Sequence, residues 1–294
     1  MKVLLSIAVP FFIWKRKLVI IIDIFGSDAI IGDFQLSNYG LILASFDSAS
    51  SVDEELGMNH ETIEEYIGHN PVPKFLGTSF NSKLMPTATI IKDPRINYNT
   101  TDKYFTEHEC REILRQLTGF RGYKQMQILS YEIDELLFFY VRITNVKYQK
   151  VGGNIAGIIL EMECDSQFAW SNEFHYIFNA SPSSNIILFN NSDNLYDYLL
   201  PKVTIKSNST ISNLSIVNLL DNNWSSTLKS LSANEIVTMD SNNSTLISSN
   251  PNRIISNDFN MHFIRLVPGK NEFKVSHDIQ LAFTYRVPRK VGFI

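Results

Sequence analysis

Cysteine is nearly absent: Cys110 and Cys164 are the only two in 294 residues. That excludes a disulfide framework, and without a Cys-x-x-Cys pair no thiol-based metal or redox centre is expected. The chain also lacks a dominant charge. Charged residues make up 19% and the formal net charge is -4, with Lys and Arg scattered instead of gathered into a stripe interleaved with aromatics. No basic field points to nucleic acid, and no acidic tail points to a cationic partner. Motifs that carry chemistry are missing as well. There is no Gly-rich phosphate loop and no Gly-x-Ser-x-Gly, and Cys110-Arg111-Glu112 after His108-Glu109 breaks the zinc motif His-Glu-x-x-His. His60, His69, His175, His262 and His277 lie on distant segments, with no pair at metal-ligand spacing. Neither a metal nor a cofactor is expected.

Long apolar runs are equally scarce. Val3 to Trp14 has the length of a signal-peptide core behind Lys2, but Pro10 interrupts it and Lys15-Arg16-Lys17 follows where a cleavage site would belong. It is too short to span a bilayer. Residues 1–17 read as a signal anchor, a native extension, or the product of a start codon set too far upstream, the last being favoured. The folded chain is expected from residue 18, with Leu18 to Phe25 as its first strand.

What is present is concentrated between Thr106 and Trp170. Thr106-Glu107-His108-Glu109 forms a capping box, and Cys110, Ile113, Leu114 and Leu117 then share one face of a helix of about three turns. Gly119 is expected to end it in a left-handed conformation. Gln125 to Leu129, Leu136 to Val146 and Ile155 to Glu163 read as strands, the last two separated by Val151-Gly152-Gly153-Asn154. On the third, Ile158, Leu160, Met162 and Cys164 point one way, towards a core, and Glu161 and Glu163 the other. Two carboxylates held about 5 to 10 Å apart can hydrolyse glycosidic bonds when one pKa is raised. Alternation on a half-solvated strand is the better explanation of these two, and no catalytic residue is assigned. Earlier in the chain, Ser45 to Gly68 is expected to project as a long hairpin or loop, with Tyr39 to Gly68 the candidate inter-subunit arm, His69-Asn70-Pro71-Val72-Pro73 to run as an extended linker, and Leu84 to Ile91 to form a strand.

Past Trp170 the composition changes to Asn and Ser punctuated by short apolar runs, the pattern of a β-sandwich or jelly roll. Strands are expected at Phe174 to Phe178, Ile186 to Phe189, Lys202 to Ile205, Leu214 to Leu219, Glu235 to Met239, Arg253 to Ile255, Met261 to Val267, Glu272 to Val275 and Gln280 to Arg286. The fold class is therefore mainly β in two domains: residues 18–170, α+β, with one flanking helix and a projecting hairpin, and residues 171–294, a second sandwich. Trp224, at a loop tip in Asp221-Asn222-Asn223-Trp224, together with Tyr196, Tyr198 and His262, forms a candidate carbohydrate contact. An aromatic plug at the sandwich edge is the simpler reading of Trp224.

In order and spacing these segments resemble the distal tail proteins of long-tailed, non-contractile phages and related prophages. The resemblance rests on Asn70-Pro71-Val72-Pro73, Leu84 to Pro94, Phe105 to Gly119 with Tyr123, Phe139 to Tyr148, and Gly152-Gly153-Asn154-Ile155 leading to Glu163-Cys164-Asp165-Ser166-Gln167-Phe168-Ala169-Trp170. Arg265-Leu266-Val267-Pro268-Gly269-Lys270-Asn271-Glu272-Phe273 and Phe283-Thr284-Tyr285-Arg286 extend it. The resemblance implies a non-enzymatic virion component that is assembled in the bacterial cytoplasm. It implies a homo-hexameric ring between the tail tube protein and the tail-associated hub protein, with the second domain, a galectin-like β-sandwich, turned outward to hold receptor-binding proteins or touch host polysaccharide. Glu161 and Glu163 would then be surface or lumen charges whose negative sign keeps DNA from sticking.

Overall fold

The computed structural model describes residues 21–23, 28–44, 61–66, 72–79, 83–96, 102–129 and 136–290. The expectations for residues 1–17, and the 45–60 part of the projecting segment, fall outside them. The first half of the chain contributes Ile21–Asp23 (β1), Asp28–Ile31 (β2), Phe34–Gln35 (β3), Leu41–Ala44 (β4), Glu61–Glu65 (β5), Lys74–Ser79 (β6) and Met85–Lys92 (β7). The helix Glu107–Thr118 (α1) follows, then Lys124–Leu129 (β8), Phe138–Val151 (β9), Asn154–Cys164 (β10) and Ala169–Trp170 (β11).

Helix α1 begins where its cap dictates. The Thr106 hydroxyl accepts the Glu109 N–H at 3.2 Å, and the Glu109 carboxylate accepts the Thr106 N–H at 2.8 Å. The Lys92 ammonium, 2.6 Å from Glu109, ties this first turn to β7. Cys110, Ile113 and Leu117 are buried in a core shared with Ile90, Val141, Ile158, Leu160, Met162 and Cys164. Gly119 corrects one expectation: its φ of -70° is right-handed. A Cβ there would stand 2.6 Å from the Arg115 carbonyl oxygen, so glycine is needed for room and not for handedness.

Strands β1, β7, β10, β9, β8, β2 and β3 lie in that order in one hydrogen-bonded sheet, with β4 also on β7. Residues from both ends of this order, Ala29 and Ile31 on β2 and Ala88 and Ile90 on β7, share a single core, so the sheet curls around it. β9 and β10 meet in a two-residue turn with Gly152 at φ 58° and Gly153 at φ 84°, the left-handed pair that matches strand twist. Ile158, Leu160, Met162 and Cys164 are buried as the alternation requires, although the register shifts between Ile155 and Gly157 and again between Glu161 and Met162. β5 and β6 stand apart from this sheet as a separate two-stranded ribbon. The paired strands carry the projecting ribbon to Ser79, and most of the expected linker from His69 to Pro73 falls outside the described residues.

The second half comprises Phe174–Ala180 (β12), Ile186–Asn190 (β13), Lys202–Ser207 (β14), Ile211–Asn218 (β15), Trp224–Leu231 (β16), Ile236–Asp240 (β17), Thr245–Ser248 (β18), Gly269–Val275 (β19), Ile279–Tyr285 (β20) and Pro288–Arg289 (β21). The order β12-β20-β14-β17-β18 makes one sheet and β13-β19-β15-β16 the other. Their inner faces, Val203, Ile205, Val237, Leu281 and Phe283 against Leu188, Leu214, Ile216, Leu228 and Phe273, form a second core. Two expected strands are not there. Arg253 to Ile255 leads into a 3-10 turn, Ile255–Asp258, because the Arg253 guanidinium is drawn inward to Glu235 and Asp258. Met261 to Val267 makes only an isolated bridge, Leu266 to Leu199.

Candidate interaction surfaces

The outward face of β10 carries Glu161 and Glu163, and neighbouring strands neutralise both. Glu163 accepts hydrogen bonds from Lys83 at 2.8 Å, Tyr123 at 2.9 Å and Arg142 at 3.2 Å. Glu161 is paired with Lys147 and accepts the Asn145 amide at 2.8 Å. The Lys83 hydrogen bond, then that of Tyr123, brings the Glu163 carboxyl down to about 2, and Lys147 lowers that of Glu161. A glycosidic general acid needs the opposite shift, so this pair is arranged for permanent ionisation within ion pairs. Lys83, Arg142 and Lys147 pair with the two glutamates, so neither stands as an uncompensated negative charge.

Trp224 opens β16 directly after a turn in which Asn222 and Asn223 take φ of 49° and 59°. Its indole stacks on His262 with ring centroids 4.2 Å apart, and the Arg265 guanidinium lies 3.8 Å from the Trp224 ring. Two planar groups this close to one ring exclude each other from the same side, so they cover opposite faces. Arg265 is itself sandwiched, 3.9 Å from the Tyr198 ring, and its fork grips Asp221 at 2.7 and 3.2 Å. The Trp224 indole N–H donates to the Phe263 carbonyl at 2.9 Å. The structure thus joins Trp224 to His262 in a column Tyr198–Arg265–Trp224–His262, and Tyr196 is 77% exposed. Sequence reading named Tyr198 but missed Arg265; the signal was an Arg close to an aromatic-rich segment, visible only once Asp221 fixes its direction.

Apolar surface concentrates on strand edges. On the β5–β6 ribbon Ile63 is 48% exposed, Phe75 61% and Leu76 53%, with Tyr66 and Val72 also outward. β12 and β13 are outer strands of their two sheets, and Tyr176, Ile177, Ile187 and Phe189 are exposed along them beside a cleft of about 280 Å³. Among the described residues no group of His, Cys, Asp and Glu could hold a metal ion, and no helix is long and apolar enough to cross a membrane.

Neutralised polar faces combined with apolar edges define a chain built for assembly. Residues 25–166 match the family of phage tail protein N-terminal domains, and residues 168–285 that of phage tail C-terminal domains. The chain belongs to this family of phage tail proteins, and its fold is Dit-like. Its fold is similar to the crystal structure of the Dit protein (gp 19.1) of phage SPP1, described as a paradigm of the hub adsorption apparatus in phages that infect Gram-positive bacteria. The identity is 12%, 88% of this chain and 98% of that one are covered, and the TM-score is 0.63. A chain of the phage p2 baseplate in its calcium-activated conformation aligns at 8% identity over 89% of this chain and 94% of its own, with a TM-score of 0.42. No curated protein matches the chain by sequence.

Proposed function

We propose that copies of this chain close into a hexameric ring that joins the tail tube to the tail-tip hub protein, and that the chain has no enzymatic activity. In this reading residues 18–170 form the ring, and residues 171–294 face outward to hold receptor-binding proteins. The observation that carries it is the β5–β6 ribbon. Two strands alone are marginal in water, and a ribbon that also turns Ile63, Phe75 and Leu76 outward is stabilised by burying them against another chain. A ring requires such a patch on one protomer to meet a different patch on the next. The number six rests on the family resemblance. Negative-stain imaging and mass photometry of the chain begun near Val19 are expected to give six-fold rings; a monomer at every concentration sinks the reading.

A second reading, contact with host cell-wall polysaccharide, draws on the exposed Tyr196 near the aromatic column. With both faces of Trp224 filled from within the chain, the sugar-stacking role falls to Tyr196 and the outer face of Tyr198. Polysaccharide pull-down then separates two variants: Tyr196→Ala loses binding in a folded protein, whereas Trp224→Ala mainly lowers the melting temperature. Equal retention by wild type and Tyr196→Ala counts against this role.

A further inference from the structure

The two halves of the chain are joined by more than a linker. Only Ser171 to Glu173 separates β11 from β12. The chain then comes back: β21 runs antiparallel to β11, with Ala169 opposite Arg289 and Trp170 opposite Pro288, while Trp170 also pairs with Phe138 on β9. Ser171 is fully buried, its N–H donating to the Val287 carbonyl and its hydroxyl accepting the Val287 N–H, both at 3.0 Å. Arg286 reaches the first sheet, donating to the Tyr140 hydroxyl at 3.1 Å and lying 5.1 Å from the Phe138 ring. The same short segment grips the second domain. Asp193 N–H donates to the Pro288 carbonyl at 3.0 Å, the Asp193 carboxylate accepts the Lys290 N–H at 2.8 Å, and Arg289 donates to the Asn191 carbonyl.

We infer that residues Arg286–Lys290 act as a clasp that fixes the direction of the second domain relative to the first. A single crossing chain can swivel by changing the backbone angles of one or two linker residues, which makes relative motion the ordinary expectation for linked domains. Two antiparallel crossings bonded to each other remove that freedom, because rotation about either one breaks the bonds to the other. The buried indole N–H of Trp170 and the buried side-chain carbonyl of Gln167 have no hydrogen-bond partner at this junction. The inference stands apart from the ring reading, since it concerns one protomer.

The test is a distance measurement between spin labels at Tyr148→Cys in the first domain and Ile247→Cys in the second, both positions exposed. Cys110 and Cys164 are each 1% exposed and do not compete for label. Labelled chain is diluted into unlabelled chain so that only distances within a protomer are read. One narrow distribution is expected for the full chain, and a broadened or second distribution for a chain stopped after Val287. Where the shortened chain does not fold, Arg286→Ala combined with Asp193→Ala in the full-length background replaces it, with the same broadening expected. An unchanged narrow distribution in whichever variant folds overturns the clasp, as does a broad distribution in the unaltered chain.

Discussion

At the scale of single residues, charge is handled in two ways. On β10 the ion pairs are solvent-reached: Glu163 keeps 20% of its side chain exposed and Lys83 48%, so their contribution is modest and weakened by salt. Its sign with pH is nonetheless fixed. The folded-state value of about 2 lies below the ordinary 4.5, so the stabilisation is complete above about pH 4.5 and disappears as pH falls from there towards 2. Melting temperatures across that range are expected to fall less in Glu163→Gln than in wild type, with equal slopes sinking the assignment. In the second core Arg253 and Glu235 are 9% and 2% exposed, and removing one partner strands the other. Arg253→Ala is expected to destabilise by about 3–5 kcal/mol in urea unfolding. Burial pushes the Cys164 thiol up to about 12 and raises that of Cys110. A thiol reagent at mildly alkaline pH should therefore modify neither in the native chain and both after unfolding.

At the scale of elements, legibility follows how local the cause is. The capping box of α1 was readable to the residue because every partner lies within four positions, and Thr106→Ala is expected to cost about 1 kcal/mol in chemical denaturation. Strands with clean alternation, such as β10 and β20, were equally plain. β16 was not: its buried positions include Ser226 beside Leu228 and Leu231, and an inward serine erases the apolar period. That serine is satisfied by the His262 carbonyl, thirty-six residues away, which no local pattern announces. Met261 to Val267 failed in the opposite sense. It alternates well, but its backbone is bound by Leu199 and by side chains such as Trp224, Ser226 and Asn271 instead of by the backbone of a neighbouring strand. The candidate contact residues fared similarly: Trp224 and His262 do meet, while the cation that separates Trp224 from Tyr198 depends on Asp221, which sequence alone left in a turn.

At the scale of the whole molecule, two cores account for nearly all the buried apolar side chains, and the ribbon β5–β6 belongs to neither. Phe75→Glu with Leu76→Glu is expected to leave the melting of a dilute protomer within about 0.5 kcal/mol of wild type, as for exposed positions generally. Sedimentation at high concentration should then show protomers where wild type shows closed oligomers. Persistence of the oligomer in this variant would place the contact elsewhere.

The ribbon also links durability to abundance. Where apolar strands are covered only by association, the assembled form is favoured by mass action, and the melting temperature climbs with protein concentration. A newly made protomer is then the most fragile state this chain occupies.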